Sequence, residues 1–353
     1  MRILRTENEI MRNWKGDLSK PLVTICCTTF NHESYIEDAI EGFLIQEADF
    51  PFEIVIHDDA STDRTGKIIK KYAEKYPILF KPVFQTENQY SKGRKALPLA
   101  ISYARGEYIA ICEGDDYWTD PSKLRVQIEE MGKYPGCNIS CHPAIAKYMD
   151  GSKSDRVIQR HSKGNRLFDT DVVILGGGSF CVTASLLLKT KVFESMPNWF
   201  HTKVPVADFF LQIYGSLGGG MLYIDRTMAV RRENVPGSWS VRLEEGSPLD
   251  YLRHMETMEQ CYVLLNKNFH GKYSHEINKR VSDLNLDLSQ RYLRNGNYRA
   301  FRKYIERGWK LYPTFTITQR VLFIFRKRKM ALKLLLAFIH FIVRIKRYTY
   351  ITP

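Results

Sequence analysis

The chain has 353 residues, of which 44% are hydrophobic and 26% are charged, and these values are ordinary for a globular protein with a full core. The net charge is +13, but residues 302–347 alone hold thirteen Lys or Arg against one acid, Glu306. The rest of the chain is close to neutral, which excludes a uniformly basic protein. A basic partner surface therefore belongs to the C-terminal part of the chain.

The cysteines and the N-terminus indicate a reducing compartment. Seven cysteines are scattered along the chain without a paired disulfide framework. Cys137, Cys141 and His142 have metal-like spacing, but a fourth zinc ligand is not evident, so buried thiols in a reducing cytosol are the favoured interpretation. Residues 1–20 contain no apolar run of signal-peptide length. We therefore expect a cytoplasmic protein that is not exported by that route.

Strand-like and helix-like segments alternate at the start of the chain. Apolar and β-branched runs indicate the strands, and apolar residues at helical spacing indicate the helices. In chain order the predicted elements are a strand at 22–30, a helix at 35–46, a strand at 52–57, a helix around 68–73, a short strand at 83–84, a helix at 96–104 and a strand at 106–112. This alternation predicts an α/β protein with a parallel, doubly wound sheet.

Polar residues stand at the carboxyl ends of three predicted strands. They are Thr28 to Asn31, the pair Asp58 and Asp59, and the run Glu113 to Asp116 within Glu-Gly-Asp-Asp-Tyr-Trp. In a right-handed βαβ arrangement these ends lie at one edge of the sheet, where open α/β sheets bind ligands. A nucleotide fits such a crevice, because carboxylates can accept hydrogen bonds from its base or ribose.

The acids Glu113, Asp115 and Asp116 have two interpretations. Carboxylates this close repel one another unless a cation binds between them, and Mg²⁺ or Mn²⁺ prefers oxygen ligands and bridges to phosphate. A solvated acidic turn is the alternative, and the cluster alone does not decide. The sequence has no Gly-x-Gly-x-x-Gly after the first strand and no Gly-rich phosphate loop. This argues against a dinucleotide dehydrogenase and a P-loop enzyme.

The second half of the chain offers candidates for an acceptor site and a general base. Gly178 ends a run of three glycines, which could let a sugar approach the backbone closely or could form a connecting loop. Asp208 opens a helix-like pattern, where it either caps the helix or takes a proton from an acceptor hydroxyl. Trp239 either stacks on an acceptor sugar or packs in the core.

Together these segments resemble the family 2 glycosyltransferases of GT-A fold. The resemblance rests on four segments and covers roughly residues 20–240: Val23 to Asn31, Asp58 to Asp63, Gly106 to Ile109 and Glu113 to Pro121. It implies a GT-A nucleotide-diphospho-sugar transferase fold with a doubly wound mixed sheet and an α-helical C-terminal extension. The implied domains are a catalytic domain at 1–245, with a donor half at about 20–125 and an acceptor half at 126–245, and a helical region at 246–353.

The resemblance also implies roles for single residues. Asp115 and Asp116 would bind Mg²⁺ or Mn²⁺, and Asp208 would be the general base of an inverting transfer to a glycan or lipid-linked acceptor. Asn234 stands where many relatives have a histidine that is sometimes a metal ligand. Gly178 and Trp239 stay candidates for the acceptor. The positions implied to bind the nucleotide-sugar are Thr28, Phe30, Asn31, Asp58, Asp59, Arg94, Lys95, Glu113, Asp115 and Arg232.

The C-terminal segment has a different character. An Arg-Lys-Arg-Lys run at 326–329 precedes an apolar stretch at 330–343 that is short for a membrane span. A basic amphipathic helix on the anionic inner face of the cytoplasmic membrane is favoured over a helix packed on the protein. Two other functions stay open. One is a nucleotidyltransferase, which usually has a Gly-rich N-terminal loop missing here, and the other is nucleic-acid binding through the tail, which we do not expect.

Overall fold

The computed structural model describes residues 4–313 and 316–333, and the chain divides into two compact units. The first unit is Met1–Ser247 and the second is Pro248–Pro353. Most of the predicted amphipathic tail, residues 334–353, lies outside the described residues. Among the helices that are described, none has the length and apolar character needed to cross a bilayer.

The strands of the first unit form two sheets. In chain order they are β1 Val23–Thr29, β2 Phe52–Asp58, β3 Phe80–Phe84, β4 Tyr108–Glu113, β5 Tyr117–Trp118, β6 Ile139–Cys141, β7 Ala144–Tyr148, β8 Arg156–Ile158, β9 Arg166–Phe168, β10 Leu187–Lys189, β11 Met221–Tyr223 and β12 Ala229–Glu233. The larger sheet has the order β3-β2-β1-β4-β10-β6-β11-β9, and the smaller sheet has the order β5-β12-β7-β8. Because β1 is parallel to β2 and β4 while β10 is antiparallel to β4, the larger sheet is mixed.

The helices follow the predicted alternation. In chain order they are α1 Glu7–Met11, α2 Ile36–Leu44, α3 Thr65–Lys75, α4 Ala96–Ile101, α5 Lys123–Gly132, α6 Thr170–Gly176, α7 Thr190–Glu194, α8 Asn198–Lys203, α9 Ala207–Gly215, α10 Trp239–Glu245, α11 Pro248–Asn268, α12 Ser274–Arg294, α13 Tyr298–Leu311 and α14 Ile317–Phe325. The helix predicted at 96–104 is shorter than expected and ends at Ile101. The short strand predicted at 83–84 is longer and begins at Phe80.

Strands β1, β2 and β4 form the centre of the first unit. Every residue of β2 is buried, and β1 and β4 are buried over most of their length. Burial on both faces explains why these strands have nearly continuous apolar sequences. Ile40 and Phe43 of α2 pack in the same core as Ile25 and Ile54 of the strands. The result is a rigid base whose carboxyl edge carries the candidate site residues.

The second unit is helical in its described residues, and α13 gives it a basic surface. Phe301, Tyr304 and Ile305 of α13 are buried, and the opposite face of the helix is exposed. We call Arg299, Arg302 and Lys303 on this exposed side the α13 basic face. Together with Tyr298 and Glu306 they line a surface cavity of about 410 Å³. Lys329 Nζ lies 4.9 Å from the centre of the Tyr298 ring, so part of the basic run at 326–329 adjoins this face.

Helix α2 approaches the turn after β4 through a glycine. An added Cβ at Gly42 would lie 2.8 Å from both the backbone N and the backbone O of Trp118. The neighbouring Phe43 ring meets the Trp118 ring edge-on, with 5.0 Å between centroids. Close packing of α2 on the Glu113–Trp118 turn therefore requires glycine at position 42.

We predict that Gly42→Ala lowers the free energy of unfolding by about 1–3 kcal/mol, because the added methyl group overpacks backbone atoms that cannot move aside. Urea unfolding followed by circular dichroism measures the change. Gly132→Ala is the matched control, since Gly132 is also helical and an added Cβ there meets nothing within 4 Å. The control should be as stable as the wild type or slightly more stable. Wild-type stability of Gly42→Ala would contradict this packing.

Candidate active site

The parallel register of β1, β2 and β4 brings the predicted strand ends together. Thr28 pairs with His57 of β2 and with Glu113 of β4, while Thr29 pairs with Asp58. These polar side chains, which are far apart in the sequence, therefore form one edge of the sheet. Phe30 follows directly after β1 at this edge.

Asn31 and Asp58 shape this edge through hydrogen bonds. Asn31 has a left-handed backbone with φ of 55°, and its Oδ1 accepts a hydrogen bond from Thr62 N at 2.8 Å. The backbone N of Asn31 donates to Ser61 Oγ at 2.9 Å, and Asp58 Oδ1 accepts from Ser61 N at 3.2 Å. Burial raises the pKa of Asp58. Both residues thus hold the turn after β2 against the end of β1.

Asp59 is engaged with the loop that carries the predicted basic residues. It is buried, and its Oδ1 and Oδ2 accept hydrogen bonds from the backbone N atoms of Gln89 at 2.7 Å and Tyr90 at 3.0 Å. Further along this loop, Arg94 is exposed and Lys95 Nζ lies 5.3 Å from the Tyr90 ring centre. The described contacts of the Asp59 carboxylate therefore anchor the loop, and its predicted contact with the base stays a prediction.

The Glu113–Trp118 turn holds crowded carboxylates. Asp116 is 3% exposed and accepts a hydrogen bond from the backbone N of Arg232 at 2.9 Å. Burial, reinforced by the charges of Asp115 and Glu113, raises the pKa of Asp116 well above its ordinary range. Burial, together with the charges of Asp115 and Asp208, raises the pKa of Glu113 to about 8. The turn therefore concentrates negative charge that a cation would stabilise.

Two adjacent arginines of β12 have different surroundings. The Arg232 side chain is 5% exposed, forms an ion pair with Asp38 and donates to the Asp115 carbonyl at 2.7 Å. Its guanidinium carbon lies 4.5 Å from the centre of the Tyr117 ring. Arg232, predicted at the diphosphate, is thus held inside the protein. Burial raises the pKa values of three site acids, and the charge of Arg231 opposes this shift in each: Glu113, Asp116 and Asp208. Arg231 therefore lies close enough to these carboxylates to stabilise their ionised forms.

Asn234 directly follows the same strand, and its side chain contacts a loop residue outside the Glu113–Trp118 turn. Its backbone has a φ of 59°, and its Nδ2 donates to Asp150 Oδ2 at 2.8 Å. Asn234 stands where the resemblance implies a histidine, and its described side-chain contact stabilises the loop around Asp150.

Asp208 reaches the acidic turn through tertiary structure. It lies in the first turn of α9, and its Oδ2 accepts a hydrogen bond from Thr183 Oγ1 at 3.3 Å. Burial raises the pKa of Asp208, although hydrogen bonds from the backbone of Phe209 and from Thr183 oppose the shift. The N-cap position of α9 is Val206, so Asp208 is not the N-cap residue. A half-buried carboxylate with a raised pKa is suited to accept a proton.

The two acceptor candidates lie on separate short elements. Gly178 belongs to a 3-10 turn at Gly177–Ser179, and an added Cβ there would meet only Phe209 Cβ at 3.9 Å. The turn therefore leaves space beside α9. Trp239 is the first residue of α10 and is half-buried. Contact of either residue with an acceptor stays a prediction.

Three residues near the acids did not stand out in the sequence. His32 Nε2 lies 3.9 Å from Asp115 Oδ2, and both side chains are largely buried. The other two are Arg231 and Thr183, described above. The position of His32 directly after Asn31 and that of Arg231 beside Arg232 were weak signals. Thr183 belongs to no motif, and no sequence signal could have found it.

A divalent cation fits the acidic turn if the substrate completes its ligands. Among the described side chains, no three His, Cys, Asp or Glu residues form a ready-made metal site. Asp115 and Asp116 remain as a pair, and Mg²⁺ is often bound by one or two carboxylates, water and substrate phosphates. The crowding that raises the pKa of Asp116 suits such an ion.

Cys137 and His142, two members of the group that has metal-like spacing in the sequence, contact backbone carbonyls. Cys137 Sγ donates to the Ile139 carbonyl at 3.1 Å, and His142 Nδ1 lies 2.9 Å from the Pro143 carbonyl. Both residues are buried, as is Cys141. These contacts fit buried core residues, which the sequence favoured over a zinc site.

Lys123 lies beneath the acidic turn with its side chain fully buried. It is 0% exposed, its Nζ donates to Gln127 Oε1 at 2.7 Å, and it lies 4.0 Å from the centre of the Trp118 ring. Burial lowers the pKa of Lys123 to about 7. Near neutral pH this lysine therefore loses its proton in the folded protein, whereas an exposed lysine would keep it.

Comparison with other proteins shows sequence similarity to known families. The model for glycosyl transferase family 2 matches residues 24–196. Uncharacterized proteins of Mycobacterium tuberculosis and Mycobacterium bovis are 35% identical over 218 residues, and the match spans 62% of this chain and 60% of theirs. TuaG of Bacillus subtilis, described as a glycosyltransferase of teichuronic acid biosynthesis, is 34% identical over 190 residues, which is 53% of this chain and 69% of TuaG.

Solved structures confirm the fold. The chain matches residues 1–349 of Staphylococcus aureus TarS in complex with UDP-GlcNAc, with a TM-score of 0.62 and 17% identity over 87% of both chains. The predicted GT-A fold, with its mixed sheet and helical C-terminal region, is therefore confirmed.

We predict that Lys123→Met changes how stability depends on pH. Between about pH 7 and pH 9 the unfolded chain keeps the Lys123 proton, since the ordinary pKa is 10.5, while the folded protein has lost it. The wild type should therefore gain roughly 1 kcal/mol per pH unit relative to Lys123→Met over this range. Urea unfolding at several pH values measures the difference. Lys71→Met on the exposed side of α3 is the control and should follow the wild type; parallel curves for Lys123→Met would refute the prediction.

Proposed function

The chain belongs to glycosyltransferase family 2, and we propose that it transfers a sugar, with inversion, from a nucleotide-diphospho-sugar to a hydroxyl of a glycan or lipid-linked acceptor. One observation carries the proposal: the acids of the Glu113–Asp116 turn and Asp208 come from distant parts of the chain but lie close enough for their charges to interact. Such a site can bind a donor diphosphate and hold a base close to it.

The donor would lie along the carboxyl edge of β1, β2 and β4. Thr28, Phe30, Asn31 and the acids after β2 are proposed to bind the nucleoside, with Arg94 or Lys95 reaching the phosphates. The surroundings of the β12 arginines favour Arg231 over Arg232 for the diphosphate, with Arg232 as a support of the turn. Asp115 and Asp116 would hold Mg²⁺ or Mn²⁺, which when bound stabilises negative charge on the leaving diphosphate.

Asp208 would take the proton from the acceptor hydroxyl as that oxygen attacks the anomeric carbon. The sugar's bond to the diphosphate breaks, and the nucleoside diphosphate leaves with the bonding electrons. Burial of Asp208 raises its pKa and so makes it a stronger base. Gly178 and Trp239 are proposed to contact the acceptor.

The names of similar proteins support the substrate classes. TarS is bound to UDP-GlcNAc in a solved structure and is named a poly(ribitol-phosphate) β-N-acetylglucosaminyltransferase. TuaG is described for teichuronic acid biosynthesis. We therefore propose a nucleotide-sugar donor and a polymeric or lipid-linked acceptor for this chain. A thermal-shift screen of common nucleotide-sugars with Mn²⁺ tests the donor, and a chain that responds to none of them would contradict it.

We predict that Asp208→Asn lowers kcat by roughly 10²–10⁴-fold, because the amide cannot accept the acceptor proton. Binding of nucleoside diphosphate, measured by calorimetry, should be unchanged. Asp169→Asn is the control, since Asp169 is an exposed residue at the start of another helix, α6. Full transfer activity of Asp208→Asn would remove Asp208 from the role of base.

We predict that Mn²⁺ strengthens binding of a nucleoside diphosphate and that Asp115→Asn removes most of this gain. The reason is that loss of one carboxylate ligand weakens the bridge between cation and diphosphate. Calorimetry with Mn²⁺ and with EDTA measures the gain, and Asp17→Asn at an exposed position is the control. Equal binding with and without Mn²⁺ in the wild type would argue against metal assistance.

We further propose that the α13 basic face contacts the anionic inner surface of the cytoplasmic membrane. Arg299, Arg302 and Lys303 line one exposed cavity together with a single acid, Glu306. Arg326 offsets the charge of Glu306 through an ion pair at 2.9 Å. Each basic residue near an anionic surface contributes about 1 kcal/mol.

We predict that the double variant Arg302→Glu, Lys303→Glu binds anionic vesicles at least about tenfold more weakly than the wild type. Co-sedimentation with phosphatidylglycerol vesicles and with neutral vesicles measures binding. The double variant Lys267→Glu, Lys272→Glu changes the same charge at other exposed positions and should bind like the wild type. Salt-dependent binding to DNA without binding to vesicles would instead support a nucleic-acid partner.

A further inference from the structure

The turn at Thr183–Ser185 connects the two groups of acids in the site. It is a short 3-10 turn between the Gly177–Ser179 turn and β10, and no sequence motif marks it. Ala184 and Ser185 are fully buried, and Thr183 is half-buried. The turn therefore sits in a packed environment with little freedom to move.

Three hydrogen bonds fasten this turn and the residue that follows it to neighbouring elements. Trp118 Nε1 donates to the Ala184 carbonyl at 2.8 Å, and Gln127 Nε2 donates to the Ser185 carbonyl at 3.0 Å. The backbone N of Ile111 in β4 donates to the Leu186 carbonyl at 3.1 Å. Trp118 ends the same turn that holds the acids, so one of these bonds joins the Thr183–Ser185 turn directly to the acidic turn.

The hydroxyl of Thr183 lies between the two groups of acids. Its Oγ1 donates to Asp208 Oδ2 at 3.3 Å, and the Thr183 side chain lies near enough to Glu113 to oppose the rise in the pKa of that carboxyl group. Asp208 is on the first turn of α9, where a short carboxylate side chain can adopt more than one rotamer. A fixed hydroxyl beside it selects one of these rotamers.

We propose that Thr183 is a positioning residue that orients Asp208 for proton transfer, and that the Trp118–Ala184 hydrogen bond holds Thr183 in place for this task. The proposal rests on the proposed role of Asp208 as base. It assigns Trp118, the last residue of the acidic turn, a role in coupling donor binding to the orientation of the base. Supporting hydrogen bonds of this kind matter because a displacement of about 1 Å can cost roughly 10²-fold in rate.

The test compares Thr183→Val, which has nearly the same shape without a hydroxyl, with Thr183→Ser, which keeps the hydroxyl. We expect Thr183→Val to lower kcat by roughly 10- to 100-fold while the donor KM stays within about twofold, and Thr183→Ser to restore most of the rate. Thr202→Val, at an exposed position of α8, is the matched control. Equal losses in the Val and Ser variants would overturn the proposal, because packing and not the hydroxyl would then be responsible.

A second variant tests the link to the acidic turn. Trp118→Phe keeps an aromatic ring against Phe43 but removes the Nε1–H that binds Ala184. We expect a lower kcat when it is measured well below the melting temperature, which the smaller ring and the unpaired Ala184 carbonyl should lower. A wild-type kcat in this variant would overturn the role of the Trp118–Ala184 bond.

The outcomes separate this proposal from the proposed function. If Asp208→Asn is fully active, the base assignment fails and the positioning role fails with it. If Asp208→Asn is inactive but Thr183→Val has the wild-type kcat, only the positioning role fails. If Asp208 is the base and Thr183 positions it, adding Thr183→Val to Asp208→Asn should cause little further loss of kcat, because the two residues act through one proton transfer.

Discussion

Carboxylates crowded together at the end of β4, with Asp116 buried among them, are the constraint on which the rest of the site depends. An unpaired ion is costly to bury, and like charges side by side add to that cost. The protein offsets this cost with the backbone N–H of Arg232 on Asp116 and with the nearby charge of Arg231. The remaining cost is visible in the pKa of Glu113, which burial and the neighbouring acids raise to about 8. The same crowding makes the turn receptive to a cation.

Strand β12 supplies most of this compensation because of its place between two other strands. It pairs antiparallel with β5, which belongs to the acidic turn, and parallel with β7. Successive side chains of a strand point to opposite faces, so adjacent arginines reach different surroundings. Arg232 enters the interior and fastens the turn to Asp38 of α2, while Arg231 stays near the acids. Two neighbouring residues of one strand thus have different surroundings.

Much of the fold, and the meeting of the polar strand ends at one edge of the sheet, could be predicted because the relevant patterns are local. Apolar runs and helical spacing predicted β1, α2 and β2, and the parallel register then brought Thr28 and Glu113 together. Other features depended on loops. The Asp59 carboxylate binds backbone N–H groups of Gln89 and Tyr90, and Asn234 binds Asp150. No spacing rule predicts such contacts, because loop conformation is set by the surrounding tertiary structure.

By itself, the sequence determined that this chain builds a doubly wound sheet with acids at its strand ends, because strand and helix periods are properties of short segments. The tertiary structure alone decided that Thr183 meets Asp208 near Glu113, and that the Arg232 side chain is buried against Asp38 and the Asp115 carbonyl while Arg231 stays partly exposed near the acids. Those arrangements follow from strand register and burial, which join residues far apart in the chain, and a shift of one residue in register would reverse which arginine faces inward.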